Sequence, residues 1–274
     1  MKSIKSFKMK TKITLVITLI FFSFISIAQN EKDMETLSIF SEYAKSKNYD
    51  AAYTPWMELR NRNPKFNKAV FVYGERILAS KIKNTEGEEK IAFINDLLKL
   101  WKERSEVFPN ITPQGSYLAK ASQLQYNNRE LLNKSDEELY AAFDTAYTSD
   151  PKTFTNPKSL YTYFSLMVDL YDASSKTAQE LFNKYDDISE KVDFEVKNYT
   201  NKRNAFLDEE GEVKELDRKD ASRLKSYNSY LKAYDQIAGS IDTKLGSRAN
   251  CENLIPLYSR DFEAYKNDGV WLQR

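Results

Sequence analysis

Histidine is absent from this chain, and cysteine occurs once, at position 251. The first absence removes every histidine-based triad, imidazole-ligated metal site and imidazole proton shuttle. The second removes any internal disulfide, so the core alone must hold a chain of this composition together. Cys251 stands in ANCENLIPLY, ahead of an apolar helical stretch and without a visible base, and reads as a small buried residue with no role. Glycine and proline are scarce too, seven of each among 274 residues. A sandwich or barrel that turns every eight to twelve residues or so needs more of both. No stretch has the spacing of a calcium loop or a glycine-rich phosphate loop. The economical reading is an all-α protein.

What the chain does have is a large apolar and aromatic fraction, 41% and 14%, beside 30% charged residues. That is enough to bury a sizeable core and too much charge for a membrane bundle, so a soluble folded protein is expected. Residues 1–28 read as a cleaved leader. Lys2, Lys5, Lys8, Lys10 and Lys12 make a basic start, residues 13–27 are apolar, and Ser26-Ile27-Ala28 is a small-x-small cleavage signal. The apolar run is short for a membrane span. Cleavage after Ala28 would leave Gln29 first, with no nearby cysteine for lipid attachment. It would also remove five lysines and no acid, taking the formal net charge from +1 to −4. A mildly acidic surface argues against nucleic acid or an anionic membrane as partner.

The mature part is organised around YAKSKNYDAAYTPWMELRNRNP. Tyr43, Tyr49, Ala52, Trp56 and Pro64 have the spacing of two packed helices, with aromatics beneath the first, a small residue at the crossing and a closing proline. Trp56 precedes Pro64 by eight residues, and Trp101 with Pro109 and Phe143 with Pro151 repeat that interval. Successive prolines are 45 and 42 residues apart, longer than the roughly 34 of a tetratricopeptide repeat. The repeats are therefore degenerate, with long turns.

Helical periodicity predicts a first helix with Leu37, Phe40 and Tyr43 on one face and a second over 49–60, bent at Pro55. Val70, Tyr73, Gly74 and Ile77 open the next pair, with Gly74 permitting close approach. Its partner, Ile91, Ile94, Leu98 and Trp101, follows a polar insert at 83–90. The third pair is 117–126 and 135–147, the latter started by a Ser135/Glu138 capping box. A tyrosine-rich helix follows over about 157–173. Two long runs stepping by threes and fours then predict an antiparallel hairpin, arms about 177–206 and 218–245, each roughly 45 Å long. A last amphipathic helix spans 254–265, is broken at Asp268-Gly269, and is followed by Val270, Trp271 and Leu272, an uncapped apolar end expected to self-associate or to continue into further repeats.

The leader together with KNYDAAYTPW, VFVYGERIL, FTNPKSLYTYF and CENLIPLYSRDFEAYKNDGVWLQR resembles the exported tetratricopeptide repeat (TPR)-like proteins of Bacteroidetes, over essentially the whole mature chain. The resemblance implies a right-handed helical solenoid over residues 29–155, a helical extension over 156–274, and a periplasmic or envelope-associated scaffold. It brings no catalytic, cofactor or metal residue with it.

Acidic clusters at 86–89, 136–138, 186–187 and 208–210 contain enough carboxylates for glycoside hydrolysis or calcium binding. Most lie at turns or helix starts, where acids favour the helix dipole. The eighteen tyrosines fall mostly on buried stripes, which favours a core role over a carbohydrate groove. A non-catalytic scaffold that binds other proteins is expected, with a glycan-binding or glycoside-processing protein as the alternative.

Overall fold

The computed structural model describes residues 30–267. The leader, the break at Asp268-Gly269 and the apolar end around Trp271 lie outside the described residues. Within them the protein is all-helical. No strand is present there; Leu207 and Val213 make an isolated antiparallel bridge in a turn. Among the described residues no helix is long and apolar enough to cross a membrane. The chain divides into two compact units, Met1–Thr112 and Pro113–Arg274. The change of sequence character near residue 155 therefore falls inside the second unit, and the third predicted helix pair belongs with the hairpin.

The first unit contains α1 (residues 30–45), α2 (Tyr49–Arg62), α3 (Ala69–Asn84) and α4 (Gly87–Val107), closed by a 3-10 turn at Pro109–Ile111. Asp33 near the start of α1 accepts from Arg62 and Asn63 at the end of α2, so these helices are antiparallel. Trp56 lies beneath α3, its indole N–H donating to the Val70 carbonyl at 2.7 Å. Gly74 makes room for it: a Cβ there would stand 2.5 Å from the ring. Contacts also skip one helix. Phe40 of α1 meets Tyr73 of α3 edge-on at 6.2 Å, and Tyr53 of α2 meets Phe93 of α4 at 5.9 Å.

Two expectations are corrected here. Tyr43 is 41% exposed, because the buried stripe of α1 runs through Thr36, Phe40 and Ala44, and the step from Phe40 to Ala44 leaves Tyr43 beside the stripe. The polar insert at 83–90 is mostly helix, since α3 runs to Asn84 and α4 starts at Gly87. The turn between them is this tight because Gly87 takes φ +56°, which a side chain would oppose. Pro55 sits inside α2, which continues through it.

The second unit contains α5 (Gln114–Asn127), the single turn α6 (Arg129–Leu132), α7 (Asp136–Ser149), α8 (Pro157–Asp172), α9 (Ala178–Asn204), α10 (Arg218–Gly246) and α11 (Cys251–Tyr265). The Ser135/Glu138 capping box is formed, and Thr177 with Glu180 makes a second one at the start of α9. The centre of the unit is α8, where residues 162–168 are all buried. Its neighbours α5, α7, α9 and α10 cover most of its circumference, leaving Lys158 and Asp169 exposed. A helix apolar over most of its circumference has to be enclosed in this way.

The hairpin lies where the periodicity placed it. Tyr199 stacks on Tyr230 at 4.7 Å, Phe206 meets Tyr227 at 6.1 Å, and the Tyr185 hydroxyl donates to Asp242 at 2.9 Å. As the α9 number rises the α10 number falls, so the arms are antiparallel. Leu224, Tyr234, Ile241 and Leu245 are buried on α10, and Leu181, Ile188 and Val192 on α9. Leu231, which falls on the same run of threes and fours between Leu224 and Tyr234, is only half-buried. Cys251 is exposed rather than buried, because it occupies the first position of α11, after the Asn250 cap.

Candidate functional site

A cleft of about 490 Å³ opens in the second unit between the start of α5, the connector after α7 and the outer face of α9. Its walls are Pro113 and Ser116 on one side, Lys152, Thr153 and Thr155 on another, and Phe194, Glu195, Asn198, Tyr199 and Lys202 along α9. Helical spacing explains the last group. Residues 195, 198, 199 and 202 recur at threes and fours and so share one face.

The connector is held rigidly. Asp150 accepts from the Gly115 N–H at 3.2 Å and from the Thr153 N–H and hydroxyl, and the Thr153 hydroxyl in particular holds its carboxyl below the ordinary value. A Cβ on Gly115 would stand 2.1 Å from the Asp150 carbonyl, so only glycine lets α5 approach this turn. From the far side the buried Tyr234 hydroxyl donates to the Thr155 carbonyl. The wall of the cleft is thus pinned to both α5 and α10.

One lining residue, Glu195, belongs to a charge pair. Glu195 is 1% exposed and accepts from Lys191 at 2.6 Å on one oxygen and from Asn198 at 3.2 Å on the other. Lys191 also lies 5.4 Å from the Phe194 ring centroid, so the cation faces the ring while pairing with the acid. Phe194 itself is 61% exposed. Burial, before any nearby charge, pushes the Tyr199 hydroxyl up to about 12. Lys152 and Lys202 at the rim are exposed, and among the described residues neither has an ion-pair partner; Lys202 lies over the Tyr199 ring at 4.9 Å.

A second polar cluster is centred on a buried tyrosine and reaches solvent at Asp144, whose side chain is 42% exposed. The Tyr163 hydroxyl donates to Asp144 and accepts from Lys184 at 2.7 Å, joining α7, α8 and α9. Tyr140, Phe143 and Tyr147 pack around it, and burial drives the Tyr163 hydroxyl far above its ordinary value. With Tyr163 at 0% exposure, this junction locks three helices together.

None of the ten repeat-defining residues lines the cleft. Ala52, Trp56 and Phe143 are fully buried, Trp101 is buried, and Gly74 lies against Trp56. Tyr49 and Pro64 are half-buried, while Tyr43, Pro109 and Pro151 are exposed. The acidic clusters are dispersed: Glu138 pairs with Lys134 and caps α7, Asp187 faces Lys184, and 208–210 lie in the hairpin turn. Among the described tyrosines only Tyr163 and Tyr234 are buried, and most are half-buried, because a ring packs well while its hydroxyl needs water or a partner.

Sequence reasoning missed Glu195 and Lys191. The signal was present, since the seam spacing Ile188, Val192, Tyr199 passes through position 195, where a charge stands in an apolar stripe. Comparison of the chain with known protein families, curated proteins and solved structures gave no match.

Proposed function

We propose that this protein is a non-catalytic scaffold, exported to the bacterial envelope, that binds other proteins and uses the cleft on α9 to do so. The observation that carries the reading is Phe194. In a chain whose other large aromatics are mostly packed, this ring is left 61% exposed beside a cleft walled by hydroxyls, an amide and lysines. Such a mixture of one apolar anchor and polar surroundings suits a protein partner. Catalysis is disfavoured by the chemistry of the groups present. Glu195, the one carboxylate of the lining, is tied to Lys191, and Tyr199 titrates too high to take up or release a proton near neutral pH.

The repeat reading finds support in the first unit, where α1 meets α3 and α2 meets α4, as stacked helical hairpins require. A TPR-like right-handed solenoid, export with cleavage after Ala28 and a periplasmic location remain parts of this proposal. The glycan alternative rests on Phe194 and Tyr199 in one cleft with Asn198 and Thr155; the paired carboxylates of a glycosidase are not brought together there. Affinity capture from envelope fractions, with Phe194→Ala as control, tests the reading. Proteins recovered by the unaltered chain and lost with the variant are expected, and recovery of glycan in their place would reverse the order. N-terminal sequencing of the exported form should begin at Gln29.

A further inference from the structure

We infer that the α9 cleft selects an acidic, extended peptide segment, one that lays an apolar or aromatic side chain against Phe194 and places carboxylates at Lys152 and Lys202. This rests on the scaffold reading and names the chemistry of the partner. Charge decides it. The lining contains two lysines without ion-pair partners and one glutamate already neutralised by a lysine 2.6 Å away. The cleft is therefore locally cationic on a chain whose acids and bases nearly balance, 40 against 41. An approaching carboxylate meets two exposed ammonium groups and no competing acid on the walls.

Shape and hydrogen bonding agree with a peptide. Phe194 supplies the apolar contact, and the lining residues Ser116 and Asn198 carry side-chain groups that can hydrogen-bond a backbone running along α9. Because Asp150 and Tyr234 hold the opposite wall in place, ordering the site on binding costs little. A neutral sugar would stack on Phe194 but leave both lysines without a counter-charge. Long polyanions gain less here, since two lysines give few phosphate contacts and the hairpin turn at 208–217 carries six acids to one lysine.

The test uses the purified chain and three fluorescent probes: a short peptide with one phenylalanine flanked by glutamates, the same peptide with glutamines instead, and an oligogalacturonate. Anisotropy should show the glutamate peptide binding, weakening as salt rises, and the glutamine peptide binding roughly tenfold more weakly. The Lys152→Glu, Lys202→Glu double variant should lose roughly tenfold or more for the acidic peptide. Its thermal melt should fall only slightly, because both lysines are exposed and the loss is that of the Lys202 cation over the Tyr199 ring in the last turn of α9. Equal binding of both peptides would overturn the acid preference and leave a peptide-binding scaffold standing. Binding of oligogalacturonate alone would overturn both. Undiminished binding by the double variant, or no binding of any probe, would remove the cleft from the account.

Discussion

Both units bury a cation against acid, and they do so differently. In the first, Arg60 of α2 reaches across to α4, with Asp96 at 2.8 Å and Glu103 at 2.9 Å, and its guanidinium lies 5.2 Å from the Trp56 ring centroid. Its side chain is 4% exposed but the acids keep 24% and 27%, so the cluster has an edge in water. In the second, Lys191 and Glu195 sit one turn apart on α9, with side chains 8% and 2% exposed. The first arrangement ties two helices together. The second ties none, since both partners belong to one helix, and its acid, Glu195, lines a cleft instead. A buried pair that links no elements is costly to the fold, because desolvation is not offset by assembly. That cost draws attention to α9 as a functional surface.

The largest expected effect breaks this comparison directly. Glu195→Ala strands the Lys191 ammonium and should destabilise the second unit by about 3–5 kcal/mol, whereas Lys191→Met with Glu195→Leu should be close to neutral. Urea titration followed by hydrogen exchange over α8–α10 reads the loss where it occurs. A loss under about 1 kcal/mol would mean that the pair behaves as a solvent-exposed one.

Next come the two glycines at helix contacts. Gly115→Ala drives a Cβ into the backbone of residue 150, which cannot move aside, and should cost about 1–3 kcal/mol. Gly74→Ala meets the Trp56 ring, equally buried, but in mid-helix it regains about 1 kcal/mol of helix propensity. Its net cost should therefore be the smaller of the two. Denaturant midpoints in the opposite order would show that the Trp56 ring is the more rigid neighbour.

The smallest effect is a pH dependence confined to the second unit. Its Lys176 hydrogen bond, followed by the Thr177 N–H, holds Glu180 at about 2, below the ordinary 4.5. With the folded value depressed, its contribution is complete above about 4.5 and is lost as pH falls towards 2. Exchange at the first turn of α9 should rise across that window. Glu180→Gln should flatten the rise, and an unchanged profile would mean that the capping box contributes nothing there.

Much of the fold was legible because it is local. The capping box at Ser135, the glycine at position 74 and both arms of the hairpin follow from residues within a turn or two of one another, and the structure has them in place. Tyr43 and Cys251 were misjudged for a related reason. A side chain near the edge of a stripe, or at a helix start, is placed by a rotation too small for periodicity to resolve.

The cleft was not legible, because its walls come from residues 113–116, 152–155 and 194–202, which nothing in the linear pattern connects. Composition and periodicity determined that the described residues are helical and that imidazole chemistry and an internal disulfide are excluded, since propensity, periodicity and residue counts are properties of short windows or of the sequence itself. Only tertiary packing decided that Glu195 is buried and paired, that Lys152, Lys202 and Phe194 line one cleft, and that α8 is the most buried helix, because burial depends on which distant surfaces meet.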